Sequence, residues 1–323
     1  MKDVVLIATQ AGYDLHAAVV EEELQKRGVD CCQWDSGSIQ ESICSYRPES
    51  AFNVRVPGVT LDSRSVRSVW IRRPTAVGPG AVTDPDYRTI VQSEWQAFAS
   101  GFWLDLESRS RLVSRPHAIR QAELKTEQLH RARSLGLSPP DTLITNDHAA
   151  VVSFYDSHPD GVIAKKLRSH QIIHGDGSGA IFVTKRLRLA EIVPEQLAVS
   201  PLIFQQCVKT VFDVRVIVID HQCFAFSMLT RSGYEDIPDY RARAAALRET
   251  EHSLIELPDT VAAGCVALVH AFGLVFGAID LAITDEGDYR FFELNPNGQW
   301  LWLQIMTRFP LAARMADLLA REK

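Results

Sequence analysis

The sequence contains no GxxxxGK[ST], and no GxGxxG follows its first apolar run. A P-loop and a dinucleotide-binding turn are both excluded. GxSxG, HExxH and any cysteine–histidine arrangement are also missing, which removes the usual nucleophilic and zinc hydrolases. Six cysteines (31, 32, 44, 207, 223 and 265) form no CxxC and no zinc spacing, so they read as reduced thiols of a cytoplasmic chain. The opening run, MKDVVLIATQAG, is too short an apolar stretch for a signal peptide. The most apolar window, CVALVHAFGLVFGAIDLAI, carries His270, two glycines and Asp280. It reads as a helix turning into a strand rather than a membrane span. Positive charge is not in excess: 34 basic against 40 acidic residues leave −6, so no nucleic-acid backbone is called for. Internal repeats and low-complexity tracts are absent. The expectation is a soluble cytoplasmic protein with neither membrane nor nucleic acid as partner.

What is present suits a sizeable core: 323 residues, 46% hydrophobic and 23% charged, suggest two or three structural units. VVLIAT, a helix-spaced DLHAAVVEEELQKRG and VDCCQW predict strand, helix and strand, a small parallel α/β unit. FNVRV and VTLD flank a Pro-Gly turn, SVRSVWIRRP reads as a strand, and 84–107 as a long helix. A turn marked by Pro116 follows, then a helix to about Leu135, ended by Gly136. The fold class expected is α/β and α+β. The units are an N-terminal α/β domain at 1–115, a central subdomain at 116–190 and a C-terminal subdomain at 191–323 with a metal site.

That site is the stretch GLVFGAIDLAITDEGDYRFFELNPNG. Taking Asp285 to Asp288 as the turn pairs Thr284 with Tyr289 and places Asp280 opposite Glu293. Asn295 then shares the face of Glu293, since side chains alternate along a strand. Like charges opposed across a hairpin repel, the more so in apolar surroundings, and call for a cation between them. Two carboxylates and an amide oxygen are hard ligands suited to Mg²⁺ with phosphates. Pairing of these acids with arginines is the alternative.

Other segments admit two readings each. In VIAKK, Lys165 and Lys166 point to opposite faces, so one turns inward, to an anion. GDGSG (175–179) is either a hairpin connection or a cover for phosphates. FQQCVK offers backbone groups to an adenine edge or is an edge strand, and KRLR (185–188) is an anion site or a solvated surface. In DVRVIVID, Asp213 and Arg215 share a face, as a structural pair or a substrate contact.

The order of Lys125, Lys165, a glycine loop, FQQCV, DVR, AID and ELNPNG resembles the ATP-grasp superfamily. WIRRP, AELKTEQLHRARSLGLSPPDTLITND, DYR and above all ELNPNGQWLWLQ resemble its graspetide (microviridin-type) macrocyclases, over nearly the whole chain. The resemblance implies a pre-ATP-grasp domain followed by two halves gripping ATP. It implies Lys125 and Lys165 on the phosphates, and Gln205, Gln206 and Val208 along the adenine. Asp280, Glu293 and Asn295 would hold Mg²⁺. Arg215 and Lys165 would serve catalysis, and Asp213, Arg215, Arg231 and Arg72 the substrate. Two departures stand out: Gln206 where the hinge often has Glu, and DYR where DWR is usual, which bears on Arg241.

The activity so implied is ATP-dependent activation of side-chain carboxylates in a precursor peptide with a leader and an acidic core. Macrocyclic ester or amide links then close, and a homodimer is the implied assembly. The alternatives are an ATP-grasp ligase joining amino acids or modifying a protein terminus, and a nucleotide-sensing protein without turnover.

Overall fold

The computed structural model describes all residues except 1–3, 11, 57–58, 83, 169–170, 174–178, 182–183, 231–249 and 322–323. Strand β1 (Val4–Thr9) is buried along VLIAT, as a continuous apolar run between two covered faces should be. Helix α1 (Leu15–Lys26) starts where the Asp14 carboxylate accepts the His16 N–H at 3.0 Å. It stops at Gly28, whose φ of 69° suits a residue without Cβ. β2 (Cys31–Trp34) then lies parallel to β1. An antiparallel excursion follows through β3 (Ile43–Arg47), β4 (Ala51–Val56) and β5 (Val59–Asp62). β6 (Val66–Arg73) returns beside β1, and α2 (Pro85–Arg109) leads to β7 (Arg111–Val113). The resulting sheet, ordered β2-β1-β6-β7, is parallel throughout. A parallel α/β front was expected; β3, which widens the predicted hairpin to three strands, was not.

Where a turn at Pro116 and one helix to Leu135 were expected, there are two helices, α3 (Pro116–Ala122) and α4 (Lys125–Ser134). Leu124 is extended between them, which puts Lys125 in the first turn of α4. Next come β8 (Thr142–Thr145), α5 (His148–Asp156), β9 (Val162–Lys165), β10 (Gln171–Ile173), β11 (Gly179–Ile181) and β12 (Lys185–Arg186). α6 (Pro194–Leu197) and β13 (Leu202–Gln206) complete the region. β13 is an inner strand of the antiparallel sheet β12-β9-β13-β8, pairing with β8 on one side and β9 on the other. Val151, Val162, Ala164, Leu197 and Phe204 give this sheet a small core of its own.

The last part is a five-stranded antiparallel sheet in the order β16-β15-β14-β17-β18. Its strands are β14 (Thr210–Ile219), β15 (Gln222–Thr230), β16 (Thr250–Ile255), β17 (Phe276–Thr284) and β18 (Tyr289–Asn295). α7 (Asp259–Ala271) precedes β17, as the apolar window predicted, and α8 (Leu301–Thr307) and α9 (Leu311–Ala320) follow β18. Among the described residues no helix is long and apolar enough to cross a membrane. Leu311, Met315 and Leu318 of α9 pack with Val20 and Leu24 of α1, Trp70 of β6 and Phe276 of β17. Each such buried side chain contributes roughly 1.5–3 kcal/mol. This shared core holds the first and last sheets together, with a cleft beside β18.

Candidate active site

The hairpin β17–β18 carries the acids singled out above. Its turn is one residue shorter than counted: Gly287 (φ 87°) donates to the Thr284 carbonyl at 3.0 Å, Thr284 N–H donates to the Asp288 carbonyl at 2.9 Å, and Ile283, not Thr284, faces Tyr289. A bulge between Leu281–Phe291 and Asp280–Glu293 takes up the difference at Phe292. Asp280 therefore does lie opposite Glu293, but through a compensating bulge rather than a continuous register. Asn295 follows two residues later, opposite Ala278.

Positive partners stand on both sides of the acids. Arg215 lies directly across from Asp280 on the neighbouring strand β14, and its Nη1 donates to Asp280 Oδ1. Lys125 Nζ, from the first turn of α4, donates to Glu293 Oε2 at 2.8 Å. Asn295 Nδ2 donates to Asp280 Oδ2 at 3.3 Å and to Glu293 Oε1 at 3.0 Å, occupying the position between the acids that the sequence reading gave to a cation. The arginine alternative is thus partly realised. Two carboxylates and an amide drawn onto one face by these contacts nonetheless form the donor set that Mg²⁺ takes, and the residues fit such an ion.

Gln128 was not anticipated. Its side chain is 1% exposed and binds the backbone of Leu294 twice, Nε2 to the carbonyl at 2.8 Å and Oε1 from the N–H at 3.0 Å. It holds the residue between Glu293 and Asn295 as a neighbouring strand would. The signal available was an amide three residues after Lys125, on the same helix face.

The segment after β18 is also tightly held. Gly298 sits where an added Cβ would lie 2.3 Å from Ala278 Cβ and 2.9 Å from Arg215 Nη2, so close approach rather than turn conformation requires glycine. Arg215 Nη2 donates to the Gln299 carbonyl at 3.1 Å, and Arg72 Nη1 donates to the Asn297 carbonyl. Arg72 is 1% exposed and paired with Asp14 at 3.2 Å. Burial lowers its pKa to about 10, with Asp14 opposing, so it stays charged at neutral pH. The tryptophans divide: Trp300 is wholly buried, whereas Trp302 lines the cleft against His252, ring centroids 5.0 Å apart.

The cleft encloses about 1050 Å³ and gathers Lys125, Arg215, Asn295, Arg72, Arg73 and Arg168 on its walls. The adenine candidates are not among its lining residues. Gln205 is 0% exposed, its Oε1 accepting from Lys165 Nζ and its Nε2 donating to Thr142 Oγ1, both at 2.8 Å. Its amide is engaged within the central sheet. Gln206 N–H donates to the Asp141 carbonyl at 2.9 Å, and Val208 follows just beyond the strand, half-buried. Asp213 lies two residues before Arg215 on β14, opposite Ala282. In KRLR, Arg186 donates to the Asp160 carbonyl at 2.6 Å and Arg188 pairs with Glu191 at 3.3 Å, which favours a surface role. Arg231, Arg241 and most of GDGSG lie outside the described residues.

No protein-family model and no curated protein matches this sequence. Solved structures do match, and they define the fold as ATP-grasp, as the motif order led us to expect. More narrowly, it is the fold of peptide-modifying ATP-grasp enzymes. The macrocyclase MdnC bound with precursor peptide MdnA from Microcystis aeruginosa MRC is 23% identical with a TM-score of 0.84, 98% of this chain covering 99% of that one. A RiPP-associated ATP-grasp ligase from Chryseobacterium gregarium, in complex with ADP and a leader and core peptide, is 22% identical with a TM-score of 0.88, 100% covering 98%. Macrocyclase MdnB from Microcystis aeruginosa MRC is 26% identical with a TM-score of 0.80, 98% covering 99%.

Proposed function

We propose that this protein is an ADP-forming ATP-grasp ligase that closes macrocyclic ester or amide links in a ribosomally made precursor peptide. The observation that carries this reading is the Asp280, Glu293 and Asn295 face, bracketed by Arg215 and Lys125 at a cleft walled by arginines. End-to-end likeness to macrocyclases supports it.

The γ-phosphoryl group of ATP passes to a side-chain carboxylate oxygen of the peptide, giving an acyl phosphate and ADP. A Ser/Thr hydroxyl or Lys amine of the same peptide attacks the acyl carbon, the carbon–oxygen bond to phosphate breaks, and the phosphate leaves as inorganic phosphate, taking up the proton that the nucleophile gives up. Mg²⁺, when held by Asp280, Glu293 and Asn295, supplies charge neutralisation at the phosphates. Lys125 and Lys165 bind phosphate oxygens. Arg215, with Arg72, Arg73 and Arg168 on the same walls, orients the acceptor carboxylate and stabilises developing negative charge. Gln206 and Val208 offer backbone groups to the adenine. A leader segment and pairing into a homodimer belong to the same reading.

The test is mass spectrometry of a candidate precursor incubated with ATP and Mg²⁺. Each ring removes one water from a single peptide and releases one ADP, whereas ligation of a second molecule adds mass. Turnover that survives Glu293→Ala unchanged would rule out the metal assignment. Nucleotide binding without ADP release across acidic precursors would favour a sensor instead.

A further inference from the structure

His16 stands in the first turn of α1, 284 residues before Trp300, and is 8% exposed. Its Nε2 accepts two backbone N–H groups, those of Trp300 at 3.0 Å and Leu301 at 3.1 Å. Trp300 is the N-cap of α8 and its own side chain makes no capping bond, so the imidazole satisfies donors that the helix start leaves open. A backbone N–H can only donate, so Nε2 carries its lone pair and the ring proton is on Nδ1. That nitrogen is 3.2 Å from Asp14 Oδ1, and the Asp14 carboxylate is further engaged by Thr9 Oγ1 and by Arg72. The Trp300 ring packs edge-on against the imidazole, centroids 4.9 Å apart. One neutral tautomer is thus specified by bonding on both sides.

The segment so anchored connects the proposed metal ligand Asn295 to α8. Its carbonyls at Asn297, Gly298 and Gln299 receive Arg72, Arg73 and Arg215. We propose that His16, on the reading of the cleft as the reaction site, is a positioning residue: oriented by Asp14, it anchors residues 296–301 and so sets Arg215 and Asn295, and its protonation releases the anchor. A proton on Nε2 would face two N–H groups, and the anchored turn has to withdraw. The charged groups facing the ring are Asp14 from the cap of its own helix and Arg72 and Arg73 from β6; α8 presents backbone N–H groups and the Trp300 ring. Burial, with the two arginines, lowers the His16 pKa against the opposing effect of Asp14, so the ring is neutral at neutral pH.

Amide hydrogen exchange of Trp300 and Leu301 in the full-length protein, followed against pH and corrected for intrinsic rates, tests this without any substrate. In the unmodified protein both amides lose protection by about tenfold per pH unit as pH falls below 6.5, the ordinary imidazole value, one proton being bound per opening. His16→Gln places a carbonyl oxygen near the Nε2 position and does not titrate. It keeps the two amides protected across that range and moves the acid limb of kcat/KM to lower pH. Protection that ignores pH in the unmodified protein, or falls equally in His16→Gln, overturns the proposal. If no precursor is turned over at all, the proposed function fails, while the exchange profile still decides whether His16 is the anchor.

Discussion

At the scale of single residues, the Asp280–Arg215 pair separates structural from chemical roles. Arg215 is 5% exposed, and Asp280 is its partner directly across the strand. Arg215→Ala leaves a half-buried carboxylate short of its cation, and we expect a loss of about 3 kcal/mol in denaturant unfolding, the low end for a buried pair. Arg215→Met combined with Asp280→Leu removes both charges, and stability returns to within about 1–2 kcal/mol, since such pairs add little over apolar replacements. ADP release stays abolished in the double variant. A double variant as unstable as the single one would show that packing, not charge, is what Arg215 supplies. Gln128→Ala strands both backbone groups of Leu294 and costs about 1–3 kcal/mol. Weaker Mg²⁺-nucleotide binding by calorimetry should accompany it.

Elements position these residues with little freedom. β18 reaches its register at Glu293 through a three-residue turn and a bulge at Phe292, two deviations that cancel. Counting back from a four-residue turn reached the correct pair because the shorter turn and the bulge each shift the register by one residue, in opposite senses. The Pro-Asn-Gly segment after the strand has a different constraint, since Gly298 passes within van der Waals contact of Ala278 on β17. Gly298→Ala therefore forces the segment away from Arg215, and we expect a loss of about 1–3 kcal/mol. Turnover should fall further than that loss predicts. Wild-type melting and wild-type turnover in this variant would contradict the close packing.

Across the whole molecule, buried neutral histidines couple stability to pH. His16 and His252 both have pKa values lowered from 6.5 by burial. The unfolded chain then takes up protons first, so the stability these groups contribute is complete above pH 6.5 and is lost as pH falls below it. Asp14 behaves similarly at lower pH. Burial alone would raise its carboxyl, but the His16 hydrogen bond and the Arg72 charge hold it well below 3.8, so its contribution is lost as pH falls below that value. Thermal melts should decline in two stages, below pH 6.5 and again below 3.8, with His16→Gln reducing the first. A melting temperature constant from about pH 7 to 5 would contradict this linkage.

What could be read from the chain alone was whatever is local or periodic. Alternation put Asp280, Glu293 and Asn295 on one face, and apolar runs marked β1 and the α7–β17 passage. Motif order pointed to ATP-grasp. The tertiary structure decided what depends on partners distant in sequence. It enclosed Gln205 within the central sheet, set β13 between β8 and β9, joined Gln128 to Leu294, and brought His16 to Trp300. No local pattern marks such residues, because their polar atoms are satisfied by backbone groups that only the folded chain brings near. Burial then makes each of those bonds obligatory.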